Sequence, residues 1–144
     1  MAEIRKAIKH KEIVVATLPI ADTSRQAERL VGFVHGIVHN DPISAGPLLY
    51  ITALFVKHDF RRQGIGYSLL DAIIKRSVRY WSIEGVEVPT ALSSALRFYK
   101  RLGFTQFKAD FGEILVQVEP KTFWAKQYPR PKFKGTFQPQ EPRA

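Results

Sequence analysis

The chain has 144 residues, 45% of them apolar, which is the size and composition of one ordinary domain with a packed core. It contains no cysteine, so disulfide frameworks and thiolate metal sites are excluded, and no apolar run approaches the roughly 18 residues of a membrane span. A formal charge of +9 implies attraction to polyanions: nucleic acid, an anionic surface or a phosphate-rich cofactor.

In chain order, Ile4, Ala7 and Ile8 recur at helical spacing and predict a short amphipathic helix over 3–11. Residues 12–18 are β-branched and predict a strand. A polar stretch with turn residues Asp22, Thr23 and Ser24 separates it from a second strand over 30–39. The breakers Asn40-Asp41-Pro42 and Gly46-Pro47 then isolate a largely apolar central strand over 48–56. From Gly64 the period changes. Ile65, Leu69, Leu70, Ile73, Ile74 and Val78 form one helical stripe. A short strand over 86–88 is followed by Thr90 as a candidate N-cap and by the stripe Leu92, Ala95, Leu96, Tyr99 and Leu102, which Gly103 closes. Two strands, 105–109 and 114–118, flank a turn at 110–112.

Past Glu119 the composition shifts. Residues 120–144 hold five prolines, six Lys or Arg, one acid and the aromatics Phe123, Trp124, Tyr128, Phe133 and Phe137, without periodicity. The chain therefore divides into a domain over 1–119 and an extended basic arm over 120–144. Aromatics interleaved with cations suit packing along RNA or a protein surface. None of His10, His35, His39 and His58 falls in a ligand-spaced HxxxH helix, since His35 and His39, four apart, lie in a stretch that alternates like a strand, so no metal is expected. With no membrane span and no signal-peptide core, a soluble protein of the cytoplasm or an organelle matrix is expected.

The run Arg61-Arg62-Gln63-Gly64-Ile65-Gly66 joins the central strand to the first long helix. Such a turn exposes unpaired backbone N–H groups that attract phosphates. It lacks both the GKS or GKT of a P-loop and the third glycine of a dinucleotide fingerprint, and a tight turn that needs glycine for its backbone alone would read the same way.

Placed after an apolar strand and followed by a helix ending Phe98-Tyr99-Lys100-Arg101-Leu102-Gly103-Phe104, the run resembles the acyl-CoA loop of the GNAT superfamily of N-acyltransferases. The resemblance covers about 31–118. It implies an α/β fold with a mixed, mostly antiparallel sheet flanked by helices, here with a shortened N-terminus. It also implies an acetyl-CoA-dependent N-acetyltransferase in which an amine acceptor, a small molecule or a protein amino group, attacks the thioester directly. Arg61, Arg62, Gln63, Gly64, Ile65, Gly66 and Tyr67 would then hold the pyrophosphate. Leu54, Phe55 and Val56 would pair with the pantetheine arm, the Phe55 amide would hold the oxyanion, and Tyr99 would protonate the departing thiolate.

Three departures from the family pattern stand out. The stretch Ile51-Thr52-Ala53-Leu54 has no carboxylate to take the amine's proton, which leaves His35, His39 or water. Leu92 stands where asparagine is common, with Ser93 or Ser94 as a substitute contact to the cofactor. Only about eleven residues precede the first strand, where the family has a strand and two helices, so the acceptor wall is expected to be truncated, or to be supplied by a partner such as a second copy in a homodimer, or by the arm. A different class of function also fits: a non-catalytic GNAT-like component of a ribonucleoprotein such as a ribosome, bound through the basic arm.

Overall fold

A computed structural model describes residues 9–19, 28–40, 46–89, 93–108, 114–126 and 133–140. It contains seven strands: β1 (Lys9–Pro19), β2 (Glu28–Asn40), β3 (Pro47–Val56), β4 (Gly85–Pro89), β5 (Thr105–Lys108), β6 (Ile114–Val118) and β7 (Thr136–Gln140). Three helices join them: α1 (Ile65–Trp81), α2 (Ser93–Arg101) and α3 (Pro120–Ala125). The strands form one mixed sheet in the order β5-β6-β4-β3-β2-β1-β7. Among the described residues every neighbouring pair is antiparallel except β3 and β4.

The helical stripe read from the sequence is the buried face of α1. Ile65, Leu69, Leu70, Ile73 and Ile74 are all buried, packed over Val14, Val34, Val38, Leu49 and Ile51 of β1 to β3. Strand alternation puts Phe33, His35 and Ile37 of β2 on the opposite face, where they are half-buried. At its far end α1 is tied to β1 by a buried carboxylate. Glu12 accepts from Arg76 Nε at 2.7 Å and from Trp81 Nε1 at 2.8 Å, and His10 stacks on Trp81.

Two expectations change. Residues 9–11 are strand, not helix, because Lys9, His10 and Lys11 pair with His39, Val38 and Ile37, and that ladder outweighs local periodicity; residues 3–8 lie outside the described residues. Nor is the segment after Glu119 extended throughout. α3 places Phe123 in the core at 0% exposure, and Trp124 Nε1 bonds Asp71 Oδ1 at 3.1 Å. Further on, β7 pairs with residues 13–17 of β1, and Phe133 and Phe137 pack against the core. Phe123, Phe133 and Phe137, which by composition suit an external partner, are used here for packing, while Trp124 stays 38% exposed. Tyr128 lies outside the described residues.

Candidate active site

β3 and β4 share three rungs only: Leu48 with Gly85, Leu49 with Val86 and Tyr50 with Glu87. Beyond that point β3 continues along β2 and β4 along β6. A wedge opens between the two central strands, and its β3 wall is residues 51–56.

The direction of the backbone on this wall follows from one hydrogen bond. Lys57 N–H donates to Val31 O at 2.8 Å across the β2 ladder. Antiparallel alternation then turns the amides of Phe55 and Ala53 toward β2, and those of Val56 and Leu54 toward the wedge. Val56 O accordingly accepts from Arg61 Nε, at 3.1 Å, and not from β2. This corrects the expectation for Phe55. Its amide belongs to the ladder, and its ring, 45% exposed, lies 5.9 Å from that of Phe33 on the face away from α1.

From the wedge the chain passes through a single 3-10 turn, His58–Phe60, and enters α1 at Gly64. Arg62 (φ 65°) and Gly64 (φ 78°) take left-handed backbone, which costs glycine little and arginine about 1 kcal/mol. No side chain caps α1 and no acid lies in its first turn; the bond from Ser68 N–H to Gly64 O, 3.0 Å, closes that turn. The amides of Ile65 and Gly66 therefore have no acceptor inside the helix, and the helix dipole adds to their pull on an anion. Arg61 and Arg62 are exposed, Gln63 is half-buried, and Ile65 contributes backbone alone because its side chain is in the core. A Cβ on Gly66 would meet Phe98 Cζ at 3.4 Å, so this glycine also lets α2 close against the start of α1.

The end of α2 is a Schellman cap. Phe104 N–H bonds Tyr99 O at 3.0 Å, Gly103 N–H bonds Lys100 O at 3.1 Å, and Gly103 takes φ 95°. The hydrophobic contact that accompanies such a cap is Phe104 edge-on to Tyr99, 5.2 Å between centroids. The segment 98–104 thus fixes the Tyr99 ring through the chain's own turn geometry.

A family model described as Acetyltransferase (GNAT) domain matches residues 10–106. The chain belongs to the GNAT acetyltransferase family. Solved structures agree in fold. Arabidopsis thaliana NAA60 in complex with a bisubstrate analogue aligns with TM-score 0.59 and 21% identity, over 76% of each chain. A putative acetyltransferase from Agrobacterium tumefaciens aligns with TM-score 0.53 and 23% identity, over 81% of this chain and 78% of that one. The protein of a KacTA–DNA complex aligns with TM-score 0.59 and 21% identity, over 72% and 67%. A search of curated proteins gave no match.

Within this GNAT domain Tyr99 is 6% exposed, and burial pushes its phenol up to about 12. Its hydroxyl bonds no described residue, and its ring lies 5.1 Å from that of Phe98. Rings connect it through Phe104 and Phe123 to Tyr67, which stacks on Phe123 at 5.3 Å between centroids. Burial, and then the charge of Asp71, raise the Tyr67 phenol as well. Ser94 sits in the first turn of α2 with its side chain outside the described residues, as do Leu92 and Thr90 altogether.

Among the described residues the proton acceptors His35, His39 and Glu87 lie on the face opposite α1. His35 bonds the hydroxyl of Thr52 through Nδ1. Glu87, half-buried, stands beside Tyr50 on the last shared rung, and sequence reasoning missed it. The signal was present in the alternation of Val86-Glu87-Val88, but which strand β4 adjoins is a tertiary fact. A cavity of about 460 Å³ lined by Leu48, Glu84, Glu87, Thr105 and Thr122 lies at the paired end of β3 and β4, and no residue of the 61–66 turn lines it.

Proposed function

We propose that the domain transfers the acetyl group of acetyl-CoA to an amine. The observation that carries this reading is the wedge between β3 and β4 opening immediately ahead of an uncapped α1 N-terminus. The residues present fit the cofactor: free amides and cations at the turn suit a pyrophosphate, and edge amides in the wedge suit an amide-bearing pantetheine arm.

When bound, acetyl-CoA supplies an activated acyl thioester. Amides of Ile65 and Gly66, with the Arg62 guanidinium, hold phosphate oxygens. Arg61 has a second task, since its Nε pins the turn to the end of β3. The Leu54 and Val56 amides hold the arm in register, and the Leu54 N–H faces the negative charge that develops on the carbonyl oxygen as the amine attacks. The Tyr99 phenol gives its proton to the leaving sulfur. A neutral amine is required, which an α-amine near pKa 8 supplies more readily than a lysine near 10.4.

Thermal unfolding tests the reading. Acetyl-CoA at a hundred times its Kd stabilises the fold by about 2.7 kcal/mol, and an acetyl-pantetheine lacking the pyrophosphate gives no comparable shift at the same concentration. No shift with acetyl-CoA would sink the proposal.

A further inference from the structure

We propose that His35 takes the proton of the incoming amine through Nε2, with Thr52 as its positioning residue; this rests on the acetyl-transfer reading above. The pairing of β2 with β3 passes from His35 with Ala53 to Gly36 with Ile51, so Thr52 is the extra residue of a β-bulge opposite the histidine. Its hydroxyl donates to His35 O at 3.1 Å and also contacts His35 Nδ1. A hydroxyl has one proton. Once that proton goes to the carbonyl, the hydroxyl can only accept from Nδ1–H, and the imidazole lone pair is left on Nε2. The same contact draws the ring from β2 over β3, toward the wedge.

Position along the strand favours His35 over the other acceptors. It sits opposite Ala53, one residue from Leu54, whose amide faces the reacting carbonyl. Strand rise puts the Tyr50 rung, where Glu87 stands, about 13 Å from Leu54, and Leu48, opposite His39, about 20 Å away. The direct neighbour of His35 on β1 is the apolar Ile13. Charged or titratable groups facing it are Lys11 from β1, His39 from β2, Tyr50 from β3 and Glu87 from β4, while β7 brings the neutral Gln138 and Gln140.

The step balances. The amine lone pair forms the C–N bond, its N–H proton passes to His35 Nε2 directly or through one water, and the C–S bond breaks. The sulfur takes the Tyr99 phenolic proton, and phenolate and imidazolium then exchange through solvent.

Two measurements test the inference. Nitrogen-15 NMR of the imidazole in the intact protein is expected to show His35 as the Nδ1–H tautomer, and Thr52→Val is expected to abolish that preference. Thiol release from acetyl-CoA is followed with a synthetic tetrapeptide bearing a free α-amine, and with water alone so that amine titration does not enter. His35→Gln is expected to lower kcat about a hundredfold and to remove the acid limb of the pH profile. Thr52→Val is expected to lower kcat about tenfold, Thr52→Ser to restore it, and acetyl-CoA affinity to stay within about twofold throughout. An Nε2–H tautomer in the wild type overturns the proposal, as does an acid limb that survives His35→Gln or disappears in Glu87→Gln instead. Wild type that binds acetyl-CoA but releases no thiol in either assay overturns the acetyl-transfer reading itself, and the role of His35 with it.

Discussion

Tyr99 combines a buried ring, a hydroxyl bonded to no described residue, and a backbone carbonyl tied into the α2 cap. Removing the hydroxyl leaves no partner unsatisfied, so Tyr99→Phe is expected to keep its stability at pH 7 within about 0.5 kcal/mol. Turnover is expected to fall about a hundredfold with acetyl-CoA affinity kept; unchanged turnover would remove Tyr99 as the acid. The phenol also makes an alkaline prediction. Its folded value is raised to about 12 from an ordinary 10, so its contribution is complete below pH 10 and is lost as pH rises toward 12. Urea unfolding across that window should show about 2 to 3 kcal/mol of lost stability in the wild type that Tyr99→Phe does not lose.

At the scale of elements, most of the architecture was legible because period and breakers agree with burial. The α1 stripe, the alternation in β2 and the glycine after α2 each specify one local conformation and one buried face. The Glu12 clamp was not legible. Position 12 reads as a polar start to a strand, yet Arg76 and Trp81, on the far end of α1, bring donors to both carboxylate oxygens. Glu12→Leu is expected to cost about 3 kcal/mol in urea denaturation, because two donors lose their acceptor at a buried position. A cost below about 1 kcal/mol would show that the clamp contributes little to holding α1 on β1.

At the scale of the whole molecule, residues 120–126 and 133–140 are part of the fold. Phe123 touches both Phe104 and Tyr67, so it supports the ring against which Tyr99 packs and the helix that starts at the 61–66 turn. Phe123→Ala is expected to cost about 3 to 5 kcal/mol and to weaken acetyl-CoA binding, read by denaturation and calorimetry. Deleting 120–144 is therefore expected to unfold the domain as well as remove positive charge, and loss of nucleic-acid affinity in that deletion would not by itself identify a binding arm. Removing β7 alone would leave residues 13–17 of β1 as an open edge.

The sequence by itself determined the order of elements from β1 to β6, the glycine turn into α1 and the capped end of α2, because each depends on residues close together in the chain. Only the tertiary structure decided which amides face the wedge, that Thr52 is a bulge residue against His35, that Glu87 borders the wedge, and that Phe123 is core with Phe133 and Phe137 packed against it. Those facts depend on ladder register and on contacts between distant segments, and no local periodicity encodes them.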